Sequence, residues 1–143
     1  MLAILLSLPI LIYVGISDWK HRLIPNAAIL ILLAMGILQI LMDNYFNFHI
    51  DLIERITGLL FPGIILFVIY MKNPKLSGGG DLKLLASLGF CIGISYFIAT
   101  LFVACIGGIA HSLRYKQVYV PLGTYICIGA VIVTGVNFVQ FFY

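Results

Sequence analysis

Two aspartates stand out in this chain for the chemistry their surroundings permit. Asp18 closes the first apolar stretch, in the run Ser17-Asp18-Trp19-Lys20-His21-Arg22-Leu23-Ile24-Pro25-Asn26. Asp81 ends a glycine run, Ser77-Gly78-Gly79-Gly80-Asp81-Leu82-Lys83, ahead of another apolar stretch. A carboxylate at lipid depth costs about 2.5 kcal/mol or more at a helix centre, so it usually marks function. Two carboxylates held close cannot both ionise cheaply: one pKa rises, and the pair shares a proton over a broad pH range. Such a dyad is the working part of an aspartic protease. The ionised member takes a proton from a water, the protonated member hydrogen-bonds to the scissile carbonyl, and a gem-diol forms with no covalent adduct.

The glycines have a mechanical part to play in this scheme. Gly78, Gly79 and Gly80 permit backbone angles and close approaches that a side chain would block, and are expected to shape the loop that delivers Asp81. Pro25 and Asn26 are expected to fix how the chain enters the second helix, a structural role. Simpler explanations exist for each piece. A lone aspartate at a helix boundary is commonly a cap or an interfacial charge. Gly-Gly-Gly-Asp alone can be a loop with an N-cap, and no Gly-Lys-Ser/Thr follows that would make it a phosphate-binding loop. Lys20, Arg22 and Lys83 read most simply as topology signals, with attraction of acidic groups on substrate or lipid as a second role.

The elements that must position the two aspartates are membrane helices. The chain has 143 residues, of which 63% are hydrophobic and 9% charged, with a mean hydropathy of +1.17. Soluble domains carry roughly 25% charged residues, so lipid is the expected solvent and an all-α, polytopic bundle the expected fold. The net charge of +3 is small, and the basic residues are scattered beside apolar runs, which argues against nucleic-acid binding. Cys91, Cys105 and Cys127 all lie in apolar stretches without a Cys-x-x-Cys or a Cys/His cluster. They read as small hydrophobes, with neither a disulfide nor a zinc site. His21, His49 and His111 sit near segment ends and read as interfacial polar residues.

Uncharged stretches cover residues 1–17, 27–42, 56–71, 84–110 and 118–143. The first lacks a leading basic residue and a small-x-small cleavage site, so it is expected to stay as a transmembrane helix. Three connections are basic (Lys20/His21/Arg22, Lys72/Lys75/Lys83 and Arg114/Lys116), and the one around Asp43, Asp51 and Glu54 is acidic apart from Arg55. The positive-inside rule puts the basic connections in the cytoplasm, seven of the eight Lys and Arg residues with them, and places Asp18 and Asp81 on one side. The stretch 84–110 must then cross an even number of times. A short helix from Asp81 to about Gly89, a turn near Gly93 and a returning helix satisfy that parity, giving six membrane helices, the fourth short or re-entrant, with both termini outside.

The full constellation resembles the type IV prepilin peptidase family, which includes the archaeal preflagellin peptidases. Asp18 with Lys20, Arg22 and Ile24-Pro25-Asn26 carries the first match. Gly78-Gly79-Gly80-Asp81, continued by Leu82-Lys83-Leu84-Leu85-Ala86 and Leu88-Gly89, fits the family's Gly-x-Gly-Asp pattern. Val120-Pro121-Leu122-Gly123-Thr124-Tyr125, with Gly129-Ala130 beyond, is like the family's last-helix entrance. The resemblance implies that Asp18 and Asp81 are the catalytic pair. It implies substrates that are pilin-like precursors, cut at the cytoplasmic boundary between a short basic leader and an apolar helix. Long members carry an extra region with paired Cys-x-x-Cys motifs associated with N-methylation. About nine residues separate the first two helices here, so methyltransferase activity is not expected.

Residues 1–143 are thus expected to form a single membrane-embedded aspartic peptidase domain in the cytoplasmic membrane, with its active site on the cytoplasmic side. Prepilin-like precursors and lipid are its expected partners. Neither a metal nor an organic cofactor is implied, and the other reactant is water. The alternatives are a small transporter or channel component, using the aspartates for cations or protons, and a non-catalytic assembly protein that binds pilin helices. The sequence does not choose among precursors or fix the oligomeric state.

Overall fold

The computed structural model describes residues 2–42, 50–72, 79–116 and 120–142. Their regular structure is helical: α1 (Leu2–His21), α2 (Asn26–Leu41), α3 (Leu52–Lys72), α4 (Gly79–Tyr115) and α5 (Leu122–Phe142). Long uncharged sequences settle into helices because each backbone donor then finds its acceptor within the segment. Pro25, with φ −66° and ψ 127°, stands at the N-cap of α2, and Pro121 precedes the first residue of α5. Both are positions where the missing N–H costs nothing. The first helix runs past Ser17, so Asp18 belongs to its last turn, together with Lys20 and His21.

The fourth helix is one assigned run of 37 residues with a break at Gly93, where φ is 77° and ψ 161°. A straight helix would separate Asp81 from His111 by about 45 Å. Instead both ends of α4 lie beside the end of α1: Asp81 lines a cavity with Asp18, and the His111 ring sits 6.0 Å from that of Trp19. Gly93 lies at the other end of the bundle, where an added Cβ would meet Ile50 at 2.8 Å and Glu54 at 3.4 Å. The chain therefore folds back at Gly93, and only glycine takes that backbone conformation without strain. The expected turn is present, four residues beyond the expected end of the short arm at Gly89. The run Gly79–Tyr115 thus holds two helical arms that meet at Gly93, one on each side of the break.

A helix broken in this way leaves carbonyls without their usual partners. Arg55 supplies donors to them: its Nη1 donates to the Phe90 oxygen at 3.4 Å, the Cys91 oxygen at 3.2 Å and Gln39 Oε1 at 3.0 Å. On the other side of the break, Ser95 Oγ donates to Glu54 Oε1 at 2.9 Å. The sequence placed Glu54 and Arg55 in an outer loop. Both instead belong to the first turns of α3, and Arg55 is 1% exposed.

Small residues let the helices approach closely. Gly58 on α3 faces Gly89 on α4 backbone to backbone, Gly36 on α2 receives the Phe90 ring, and Gly15 on α1 lies against Cys127 on α5. The core between them is apolar, built around Leu11, Leu32, Leu84, Leu88, Phe97 and Ile126. The exterior is apolar as well, with Ile12, Leu30, Ile64, Phe102 and Ile109 among its exposed side chains. Such a surface suits lipid better than water. By length and composition, α4 is long and apolar enough to cross a membrane, and α2 and residues 122–136 are shorter apolar helices.

Candidate active site

Asp18 and Asp81 come together from opposite ends of their helices. A cavity of about 480 Å³ is lined by both, with Arg22, Asn26, Gly79, Gly80 and Pro121 among its other walls. Asp18 projects from the last turn of α1. That turn ends as Arg22 takes a left-handed φ of 52° and its amide bonds to the Asp18 carbonyl at 2.9 Å. The Ser17 hydroxyl donates to the Leu23 carbonyl at 3.0 Å, which holds the reversal into α2. Asp81 stands in the first turn of α4, where the positive end of the helix dipole suits a carboxylate.

Burial differs between the two. Asp18 is 5% exposed, and the Thr124 amide, in the first turn of α5, donates to its Oδ2 at 3.3 Å. Asp81 is half-buried. Asp18 and Asp81 thus present two carboxyl groups to one cavity. Among the described residues, no group of three or more His, Cys, Asp and Glu could hold a metal ion.

The glycine run looks different from its expected form. Gly79 and Gly80 are the first residues of α4 rather than a loop, and Gly93 alone among the described glycines has a positive φ. An added Cβ at Gly80 would touch Ile24 at 3.4 Å, and one at Gly79 would meet open space. Both therefore act as bare wall of the cavity, not as a backbone hinge. Gly78 lies outside the described residues. Pro25 caps α2 as expected, while Asn26, expected to be structural, also lines the cavity.

Sequence reasoning passed over Gly123 and Thr124 as site residues. A Cβ on Gly123 would lie 3.1 Å from Asp18 Oδ2 and 3.3 Å from its Cγ. The available signal was the Pro-Leu-Gly-Thr opening of the last helix, which reads as the family-like entrance to that helix and not as part of the site. A second recess of about 370 Å³ shares Arg22 and Pro121 with the first and is walled by Trp19, His111 and Tyr115. There His111 packs among aromatic rings, 4.6 Å from Tyr115 and 5.6 Å from Tyr125.

Comparison with known proteins gives one family. The model of the type IV leader peptidase family matches residues 5–113. A prepilin leader peptidase/N-methyltransferase of Bacillus subtilis (strain 168) is 28% identical over 99 residues, which cover 69% of this chain and 38% of that protein. One of the same name from Pectobacterium carotovorum subsp. carotovorum is 28% identical over 144 residues, covering 93% of this chain and 52% of its own length. The chain thus spans about half or less of the curated relatives it matches. No solved structure matches it.

Proposed function

Since the chain belongs to the type IV leader peptidase family, we propose that it is an aspartic endopeptidase that removes the basic leader from prepilin-like precursors. The observation that carries this reading is the cavity lined by both Asp18 and Asp81. One carboxylate, as general base, takes a proton from a water in that cavity. The other, protonated, donates to the scissile carbonyl oxygen as the water adds to carbon. The gem-diol collapses as the base returns its proton to the leaving nitrogen and a diol hydroxyl gives its proton back to the second carboxylate, which restores both groups. No group in this scheme is alkylated or acylated, and nothing besides water is consumed.

The substrate's form follows from the setting. A peptide bond inside a helix is inaccessible, so the junction between a polar leader and an apolar helix is the segment able to enter an open cavity as extended chain. The substrate's apolar helix then remains in lipid beside the enzyme. In this reading the bundle crosses the cytoplasmic membrane six times, with the two arms of α4 counted separately and the cavity on the cytoplasmic side. Residues 22–25 join α1 to α2 directly, so N-methylation stays outside the proposal.

Purified enzyme in lipid or detergent, given a prepilin-like precursor, should release the leader. Asp18→Asn and Asp81→Asn should each lower turnover about 10²–10⁴-fold, the usual weight of a positioned acid or base, with insertion and expression intact. Asp51→Asn should leave turnover unchanged, because Asp51 is exposed and lies just before α3, beside Ile50 at the fold-back end. Near-normal turnover in either of the first two variants would remove that residue from the pair.

A further inference from the structure

The placement of Asp18 poses an electrostatic problem. It lies in the last turn of α1, where the negative end of the helix dipole disfavours a carboxylate, and it is buried. Its surroundings on α5 offset part of that disadvantage. The first turn of a helix carries amides with no partner within the helix and attracts anions. Here the Thr124 amide reaches Asp18 Oδ2 at 3.3 Å.

Two further contacts hold that helix end in register with the aspartate. Thr124 Oγ1 donates to the Gly15 carbonyl at 2.9 Å, one turn before Asp18 on α1. Gly15 itself lies so close to α5 that an added Cβ would stand 3.0 Å from Cys127 Cβ. The Asp18 side chain then rests on bare backbone: a Cβ at Gly123 would be 3.1 Å from Oδ2, 3.2 Å from Cβ and 3.3 Å from Cγ. Any side chain at 123 must push the carboxyl group away from the α5 amides by a few tenths of an ångström.

We propose that Gly123 and Thr124 are positioning residues that seat the Asp18 carboxylate on the N-terminus of α5 and so set its orientation toward the cavity. This rests on the reading of Asp18 as one of the catalytic pair. Neither residue touches the reacting atoms; each acts through Asp18. Arg22 and Asp81, the charged groups that line the same cavity, are unchanged in the variants below.

The test compares Gly123→Ala with Gly135→Ala, a glycine of the same helix around which a Cβ meets nothing within 4 Å. Cleavage of a prepilin-like peptide is followed from pH 5 to 9, as kcat and as kcat/KM (assay range of roughly that width). Gly123→Ala should lower kcat about tenfold or more, and the acidic limb of the profile should move upward by about one pH unit as the ionised carboxylate loses its donor. Gly135→Ala should match the parent. A lower kcat with an unmoved limb would mean fewer active molecules only, and would overturn the proposal, as would a parental kcat. If Gly123→Ala does not fold, Thr124→Val and Thr124→Ser decide. Loss of turnover with a moved limb in Thr124→Val, and its return in Thr124→Ser, support positioning through the Gly15 bond; equal behaviour of the two refutes it. Full activity in Asp18→Asn would instead refute the dyad itself, which separates the two failures.

Discussion

Gly58 on α3 and Gly89 on α4 meet backbone to backbone, each so close to the other's carbonyl that neither has room for a methyl group. This crossing presses the first arm of α4 against α3, with Asp81 two turns before it. Helix association in lipid depends on such packing, because burying apolar surface gains little there. Gly89→Ala should therefore destabilise the bundle by about 1–3 kcal/mol, the usual cost of overpacking. Gly63→Ala, on the same helix as Gly58 but with nothing within 4 Å, should change stability little. Thermal unfolding of both variants in one detergent is the measurement, and equal midpoints would remove the crossing from the fold's support.

Removing Arg55 should loosen the fold-back without touching the chemistry. Arg55→Ala takes away the donor that serves the Phe90 and Cys91 carbonyls. An unserved buried acceptor costs about 1–3 kcal/mol. The expected result is a lower unfolding midpoint, with turnover per folded molecule at low temperature close to that of the parent. Unchanged stability would show that these bonds contribute nothing.

Activity should survive chelators and serine-directed reagents, since water is the nucleophile in the proposed scheme. Thiol reagents should also leave turnover intact, since neither Cys91 nor Cys105 lines the cavity. Chelator-sensitive activity that zinc restores would sink the two-aspartate mechanism.

Single cysteines at Ser95 and Lys116, in a background without native cysteines, test the path of α4. If α4 turns at Gly93 inside the membrane, position 116 reacts with an impermeant reagent from the cytoplasmic side only. Position 95 reacts from outside or not at all. Labelling of 116 from outside would mean one crossing and a different topology.

Much of this architecture was legible because charge is so scarce. With few charged residues, each one marks a boundary, and the basic connections placed both aspartates at one end before any geometry was known. Parity alone required the chain to return after Asp81, and the glycines offered places for it. What could not be read was through-space pairing. Arg55 resembled a loop residue, because a sequence does not show that a broken helix elsewhere needs its donors. The glycine run suggested unusual backbone angles, yet Gly79 and Gly80 begin a regular helix and the left-handed glycine is Gly93. Gly123 reads only as part of the last helix's entrance, since its importance lies in Asp18, a contact between the two ends of the chain.

The bonds from Arg55 to the Phe90 and Cys91 carbonyls also bear on how the protein is made. During synthesis α3 emerges after Gln39 but before the two carbonyls that receive its guanidinium. Left alone in a bilayer, α3 would carry the Arg55 charge without those two acceptors, at a helix end where the cost is below the roughly 3 kcal/mol of full depth. The third helix is thus a poor free-standing insertion product, and its stable entry into lipid waits for the first arm of α4 to follow. A nascent chain arrested before residue 90 should stay with the insertion machinery, whereas one extended past Gly93 should be released into the membrane with helix and hairpin already joined.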